Sequence, residues 1–180
     1  MCIRDSTGSH SYGSLLENSR AIADSLRGNR DDICEERIAF MTPPGADYIH
    51  VQWGIWRAGG IAVPLCTQHP PAEIEYVLKD CGVSQVVAHP VSREKLEPLA
   101  ISLGIPLLVT DQIDIARGRE LPLVKAERGA MILYTSGTTS RPKGVVSTHR
   151  AIHSQIMSLV SAWKWSMDDH ILHVLPLHHI

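Results

Sequence analysis

The sequence predicts an α/β fold with a mostly parallel sheet flanked by helices, and two observations predict it. Short apolar runs of strand length alternate along the chain with longer stretches whose apolar residues recur at helical spacing. Glycine and proline clusters separate these segments. Strands that alternate with helices pair in parallel, and their helices cover both faces of the sheet. The composition of the 180 residues agrees with a packed core, because 44% are hydrophobic and 20% are charged.

Five helices are predicted from apolar periodicity together with start and stop signals. The first begins at Ser14, which has capping-box spacing to Glu17, and it continues until Gly28. The second is closed by Gly59-Gly60, since glycine accepts the left-handed conformation that ends many helices. The predicted helices cover residues 14–28, 46–58, 71–80, 92–103 and 149–163.

Strands are predicted where short apolar runs stand between breakers. The run Arg37–Met41 is followed by the breaker Pro43-Pro44-Gly45, and Pro64 marks the end of the next strand. Residues 110–128 have weak periodicity and several charges, so they are predicted to form a surface linker. The predicted strands are 37–41, 61–65, 85–89, 105–109, 130–134, a strand that starts with the apolar pair 145–146, and 170–175.

Residues 1–6 match neither a targeting peptide nor the start of any predicted element. The opening residues, MCIRDS, resemble a leader often seen on proteins predicted from assembled environmental reads. Residues 1–11 are therefore predicted to be a disordered or artefactual leader, and the domain is expected to begin at residue 12.

Charge and composition exclude several classes of partner. A formal net charge of −2 gives no electrostatic footprint for nucleic acid or an anionic membrane. No apolar stretch is long enough to span a bilayer.

The four cysteines lack CxxC spacing, which favours free thiols in a reducing compartment. The cytoplasm is therefore predicted, with an organelle matrix such as the mitochondrial matrix as the alternative. These cysteines are Cys2, Cys34, Cys66 and Cys81.

The most informative segment for function is residues 134–145, YTSGTTSRPKGV. It combines hydroxyl side chains, glycines that permit close backbone approach, and the cations Arg141 and Lys143. Backbone N–H groups, hydroxyl donors and fixed positive charge are what a polyphosphate requires. The order Pro142-Lys143-Gly144 excludes a Walker A motif, which ends in Gly-Lys-Ser/Thr. The alternative is a polar surface turn between two strands.

This segment closely resembles the phosphate loop of the adenylate-forming enzymes, which include acyl-CoA synthetases, luciferases and peptide-synthetase adenylation domains. Their usual pattern is Tyr-Thr-Ser-Gly-Thr-Thr-Gly-x-Pro-Lys-Gly-Val, and Ser140 stands where the family usually has glycine. Serine keeps the backbone N–H and adds a hydroxyl, so phosphate binding is expected to persist. The resemblance implies that the ATP phosphates contact Thr135, Ser136, Gly137, Thr138, Thr139, Lys143 and, at the irregular position, Ser140.

The final residues, ILHVLPLHHI, resemble the Pro-Leu-aromatic-His segment of the same family. His179 falls on the family's histidine, which borders the acyl pocket and the nucleotide, and His178 falls on its aromatic position. A metal site is the alternative for these histidines together with His170 and His173. On a strand His170 and His173 point to opposite faces, and Pro176 interrupts the geometry. We therefore expect no metal site and a packed or pocket-lining role for His179.

Flanking segments narrow the resemblance further. Residues 52–80 resemble the family's helix, Gly-Gly and strand ahead of the phosphate loop. Within them, residues 59–77, together with residues 162–180, are most similar to malonyl-CoA and methylmalonyl-CoA synthetases. The resemblance implies an ATP-dependent ligase for a small carboxylate, malonate or methylmalonate. The carboxylate would form an acyl-adenylate with release of pyrophosphate, and the CoA thiol would then displace AMP. ATP, Mg²⁺ and CoA are the implied cofactors, the last two bound mainly by other parts of the enzyme.

The resemblance covers nearly all of residues 12–180, which are predicted to be an incomplete N-terminal AMP-binding domain. Family motifs for adenine, magnesium and ribose, and the mobile C-terminal domain, are not in this sequence. The chain is therefore expected to be an N-terminal fragment that is catalytically silent alone. Two alternatives stay open: a freestanding, non-catalytic nucleotide- or anion-binding module, and a synthetase for another short or medium-chain acid. The oligomeric state is left open.

Overall fold

The part of the chain that the structure describes contains eight strands, five α-helices and two 3-10 helices of three residues, Pro90–Ser92 and Thr110–Gln112. The structure is a computed structural model, and it describes residues 2–113, 118–135 and 141–177. The strands are β1 (Cys2–Asp5), β2 (Gly8–Ser11), β3 (Arg37–Met41), β4 (Ile61–Pro64), β5 (Gln85–Ala88), β6 (Leu107–Val109), β7 (Gly129–Thr135) and β8 (Lys143–Thr148). The helices are α1 (Tyr12–Arg27), α2 (Ala46–Ala58), α3 (Pro71–Asp80), α4 (Arg93–Leu103) and α5 (His149–Trp163).

The main sheet has six strands in the order β6-β5-β3-β4-β7-β8. Its first five strands pair in parallel, and β8 pairs antiparallel with β7. The predicted mostly parallel α/β sheet is therefore confirmed. Because the parallel strands run in one direction, their carboxyl ends lie along the same edge, where ligands bind in open α/β sheets.

Alternate residues of β3 show how the helices cover both faces of this sheet. Ile38 and Phe40 belong to a buried cluster with α1 and α2, whereas Ala39 and Met41 belong to a second cluster with α3 and α4. Side chains of a strand alternate between faces, so each face receives half of the strand's apolar residues. Burial on both faces explains why these strands read as continuous apolar runs in the sequence.

The first helix begins earlier than predicted. Its N-cap is Ser11, whose side chain accepts a hydrogen bond from the Ser14 amide at 3.0 Å. The proposed capping box at Ser14 is therefore wrong, because Ser14 already lies in the first turn, where its hydroxyl donates to the Ser11 carbonyl at 2.8 Å. The predicted end is confirmed, since Gly28 is the C-cap with φ of 56°.

The N-terminal residues form a hairpin, although the sequence predicts no element there. Strands β1 and β2 pair antiparallel from Cys2 to Ser11. Asp5 in this hairpin accepts a hydrogen bond from the Ala46 amide at 2.8 Å and so caps α2, whose N-cap Gly45 has no side chain to do so. That bond and those from Thr7 hold the pKa of the Asp5 carboxyl well below its usual range. Sequence periodicity cannot reveal a cap supplied from 41 residues away.

The linker after β6 has no regular strand or long helix in its described part, as expected, but it is tied to the domain by arginines. The buried Arg27 donates to the Glu120 carbonyl at 2.8 Å, and Arg119 donates to the Gly28 carbonyl at 2.6 Å. Arg20 also donates to the carbonyl of Arg119. These bonds tie residues 119 and 120 to α1 and to the turn that follows it.

The strand predicted at 170–175 is wrong. Residues 170–175 adopt no regular element, and Ile171, Leu172 and Val174 are exposed. An apolar run becomes a strand only where a neighbouring strand accepts its backbone hydrogen bonds. Within the described residues, no strand lies beside this run.

The entry into β7 is held by a charged cluster at the amino-terminal edge of the sheet. Arg128 donates to both carboxylate oxygens of Asp32, at 2.6 and 3.0 Å, and to the carbonyl of Gly59. Next to it, the Gly129 amide donates to Glu35 Oε1 at 2.7 Å. The Arg128 hydrogen bonds lower the pKa of the Asp32 carboxyl. A bidentate arginine–carboxylate pair fixes both distance and orientation, so it determines where β7 starts.

Gly59 is the position in this cluster that should tolerate substitution least. Its φ is 88°, and an added Cβ would lie 2.9 Å from Asp32 Cγ and closer still to Oδ1. We predict that Gly59→Ala destabilises the protein by at least about 1 kcal/mol more than Gly104→Ala. Gly104 is the matched control, because it has φ of 65° in the same C-cap role but meets nothing within 4 Å. Gly104→Ala should cost about 1–2 kcal/mol from backbone strain alone. Urea unfolding measures both, and equal losses would contradict the crowding at Gly59.

His149, at the start of α5, should make stability depend on pH. Its ring packs edge-on against Trp56 with centroids 5.6 Å apart, and its Nε2 has no hydrogen-bond partner in the described part of the chain. Burial, followed by the charge of Arg128, lowers the pKa of His149, and burial likewise lowers the pKa of His50. The folded protein therefore resists protonation that the unfolded chain accepts near pH 6.5.

We predict that the free energy of unfolding decreases as the pH falls from 7.5 to 5.5, because the unfolded chain binds more protons in that window. His149→Phe keeps a ring against Trp56 and removes the titrating group, so its decrease should be smaller, with His50 supplying the remainder. Urea unfolding followed by Trp fluorescence measures both slopes. Identical slopes for the two proteins would show that His149 does not titrate as described.

Candidate phosphate-binding site

The predicted phosphate loop lies at the carboxyl edge of the sheet, between β7 and β8. Thr135 is the last residue of β7 and Lys143 the first of β8, and the two are paired across the ladder. Both are exposed. The pairing of β7 with β8 therefore brings a hydroxyl from the start of the loop next to an ammonium group from its end. Ser136, Gly137, Thr138, Thr139 and Ser140 lie outside the described residues, and their contacts with ATP stay predictions.

Lys143 is the charged group of this pair. No ion pair involves it or Arg141 within the part of the chain that the structure describes. Its charge is therefore not neutralised by a described carboxylate. An exposed ammonium group next to a hydroxyl and a polar loop can neutralise phosphate oxygens.

The first stem of the loop, which is the end of β7, contacts helix α3. The Tyr134 hydroxyl donates to Asp80 Oδ2 at 2.6 Å. Burial and this hydrogen bond raise the pKa of Tyr134, so the phenol stays protonated and keeps donating. Its ring also meets the ring of Tyr76 edge-on, with centroids 6.3 Å apart.

The second stem of the loop, which consists of Arg141, Pro142 and the start of β8, contacts the same helix. The Tyr76 hydroxyl donates to the carbonyl of Pro142 at 3.1 Å, and the guanidinium carbon of Arg141 lies 5.6 Å from the centroid of the Tyr76 ring. Arg141 is thus an outer cation that stacks on the protein, a geometry that favours arginine.

Packing in the hairpin explains why Lys143 is followed by a glycine, Gly144. It pairs with Tyr134 across the ladder, and a Cβ there would lie 2.9 Å from Ile132 Cγ2 and 3.2 Å from Tyr134 Cζ. Any side chain at 144 would push the Tyr134 ring away from its place. The absence of a side chain at Gly144 therefore allows β7 and β8 to pack closely beside Ile132 and Tyr134.

A small, largely apolar cleft opens beside the hairpin. It lies at the carboxyl end of β4, next to α3, and Tyr134 forms part of its wall. The cleft is lined by Pro64, Leu65, Cys66, His69, Ile74, Val77 and Tyr134.

The histidines near residue 175 are not gathered into a described site. His170 contacts the Asp168 carbonyl at 3.0 Å, and His173 is exposed. His178 and His179 lie outside the described residues, so the pocket role of His179 stays a prediction. Among residues 2–113, 118–135 and 141–177, no group of three or more His, Cys, Asp or Glu is placed to hold a metal ion. No helix of this described part is long and apolar enough to cross a membrane.

Sequence reasoning missed Tyr76 and Asp80, to which it assigned no role beyond membership of the predicted helix 71–80. Their i, i+4 spacing on a helix places them on one side, and this is the signal that was available. What each contacts depends on a strand more than 50 residues away. Such a pairing becomes visible only once the helix is placed over the sheet.

Comparison with known proteins gives consistent matches along the chain. The family model described as AMP-binding enzyme matches residues 1–180. Malonate–CoA ligase ACSF3, mitochondrial, of Xenopus laevis is 43% identical over 189 residues, which cover 98% of this chain and 33% of that protein. The Homo sapiens protein of the same name is 42% identical over 187 residues, covering 98% and 32%. The Arabidopsis thaliana malonate–CoA ligase is 32% identical over 198 residues, covering 96% and 33%.

Solved structures give the same picture. Apo MatB from Rhodopseudomonas palustris superimposes with a TM-score of 0.85 at 26% identity, over 98% of this chain and 37% of that one. The ATP-bound form of MatB gives a TM-score of 0.84 at 28% identity, with the same coverage. The chain spans about a third of the length of the curated relatives that it matches.

Proposed function

The chain belongs to the AMP-binding enzyme family, and we therefore propose that it supplies the phosphate-binding part of an AMP-forming acid–CoA ligase. The family match, and the similarity of this chain to malonate–CoA ligases, agree with the prediction from the sequence. The acid that we propose is malonate or methylmalonate, because relatives from frog, human and plant are named malonate–CoA ligases.

One observation supports this function more than any other. The β7–β8 hairpin brings Thr135 and Lys143 directly opposite each other at the carboxyl edge of the sheet. A hydroxyl donor and an ammonium group at the mouth of a loop rich in hydroxyls match the needs of a leaving pyrophosphate. A simple surface turn would leave this clustering of donors without a role.

The proposed reaction begins when the substrate carboxylate attacks the α-phosphorus of ATP. A new P–O bond forms, the bond to the β-phosphate breaks, and pyrophosphate leaves with the electron pair. The CoA thiol then loses its proton to solvent and its sulfur forms a bond to the acyl carbon. The bond from that carbon to the phosphate oxygen breaks, and AMP leaves with the electron pair. Negative charge develops on the leaving phosphates in the first step, and Lys143 would neutralise it while Thr135 donates a hydrogen bond. No nucleophilic side chain is required.

Several roles complete the proposal. Ser136, Gly137, Thr138, Thr139 and Ser140 would surround the phosphates. His179 would border the acyl group and nucleotide. Mg²⁺ shields phosphate charge when ATP is bound, and we assign its protein ligands to none of the described residues, which offer no cluster for a metal.

The cellular compartment is proposed from the thiols. Cys2 and Cys34 are exposed, Cys66 and Cys81 are buried, and all four are free. Free thiols persist in reducing compartments. We propose the cytoplasm, with the mitochondrial matrix as the alternative because the frog and human relatives are named mitochondrial.

A graft tests the proposed reaction. Residues 1–180 replace the matching third of the human malonate–CoA ligase, and malonate-dependent pyrophosphate release is measured. We predict activity in the graft and none in the 180-residue chain alone. Lys143→Met should lower the activity roughly 10-fold to 100-fold, because it removes a charge-assisted contact to the leaving group.

The matched control is Lys79→Met, which removes another exposed lysine, whose ion pair among the described residues is with Glu75 on α3. It should leave the rate unchanged. A graft that folds and releases pyrophosphate equally well with Lys143→Met would contradict the role of this residue. Release driven by another short acid, with malonate inert, would overturn the substrate and keep the reaction class.

A further inference from the structure

We propose that Tyr76 and Asp80 of α3 are positioning residues for the phosphate loop, which they hold by its two stems. The inference rests on the proposed phosphate-binding function of that loop. Neither residue is expected to touch ATP. Each acts on the residue that precedes a predicted phosphate contact.

The contacts on the two stems are placed symmetrically. Asp80 accepts the hydrogen bond of Tyr134, the residue immediately before Thr135. Tyr76 donates to the carbonyl of Pro142, the residue immediately before Lys143. Helix α3 therefore fixes both ends of the loop at one step from the groups that would bind phosphate.

The supporting helix is itself rigidly seated. Ile74 and Leu78 on α3 are each only 1% exposed, and both belong to the core cluster under the sheet. Ile74 and Leu78 are four residues apart, so they lie on the same, buried side of the helix. Tyr76 follows Ile74 by two positions, and Asp80 follows Leu78 by two positions. A helix locked into the core transmits little motion to the groups it holds, which is what a preorganised binding site requires.

The chemistry of the two contacts suits a site for anions. A carboxylate close to phosphate would repel it, but Asp80 uses its charge to accept from the Tyr134 phenol and reaches the loop only through that ring. Pro142 has a restricted φ, so fixing its carbonyl leaves little freedom for the backbone that leads into Lys143. The ring of Tyr76 also lies under the guanidinium of Arg141.

The test uses the 180-residue chain and inorganic pyrophosphate as the ligand, with calorimetry for the dissociation constant. We expect Tyr76→Phe to weaken pyrophosphate binding about fivefold and Asp80→Ala about tenfold, the range for one lost hydrogen bond. Asp80→Asn keeps an acceptor oxygen and should restore most of the affinity. Asp80→Ala should have no additional effect in a Tyr134→Phe background, because Asp80 acts through that hydroxyl.

Amide hydrogen exchange without ligand provides a second readout. The amides of Thr135, Lys143 and Gly144 should exchange faster in Tyr76→Phe and Asp80→Ala, whereas the urea midpoint stays close to that of the wild type. Lys79→Ala, on the exposed side of the same helix, is the control and should change neither quantity. A purely structural role would lower the midpoint and leave the affinity of the folded protein unchanged.

Failure of the inference is distinct from failure of the proposed function. If the unmodified chain does not bind pyrophosphate, the proposed function of the loop is contradicted for this chain, and exchange at the stems still decides the positioning role. If the unmodified chain binds and both variants bind equally well with unchanged exchange, the positioning role is overturned while the function stands.

Discussion

The placement of β7 in the sheet is the constraint on which the rest of the structure depends. The strand begins at the amino-terminal edge, where Arg128 donates hydrogen bonds to Asp32 and to the Gly59 carbonyl. It ends at the carboxyl edge, where Tyr134 donates to Asp80. Its backbone joins β4 on one side and β8 on the other. A shift of β7 by one residue would turn its buried side chains to the opposite face and carry the loop away from α3.

The two edges of the sheet perform different physical tasks. At the amino-terminal edge, the Arg128–Asp32 pair is satisfied internally, and its side chains are only 16% and 26% exposed. Charges shielded from water in this way contribute more than typical surface pairs. At the carboxyl edge, Lys143 has no described ionic partner, so its charge is available for a ligand. The paired charges hold the start of β7, whereas in the proposed function the charge of Lys143 is left for phosphate.

The sequence predicts what local patterns determine. Apolar runs buried on both faces gave the strands of the main sheet, and Gly28 and Gly59 gave the ends of their helices. The family was predicted from residues 134–145, because hydroxyl groups, glycines and a lysine seldom occur together in one loop without a phosphate to bind. Contacts between distant segments were missed: Asp5 caps a helix 41 residues away, and Asp80 holds a strand 54 residues away. The run at 170–175 has strand composition, but no described strand pairs with it.

The most direct test of the phosphate site is a backbone-amide NMR titration of the 180-residue chain with MgATP. We predict saturable shifts at Thr135, Lys143 and Gly144, where the β7–β8 hairpin carries the loop, and no shifts at Gly59 or Gly129 at the opposite edge. Saturable shifts confined to the opposite edge, or none at the hairpin at millimolar MgATP, would contradict a phosphate site at this loop.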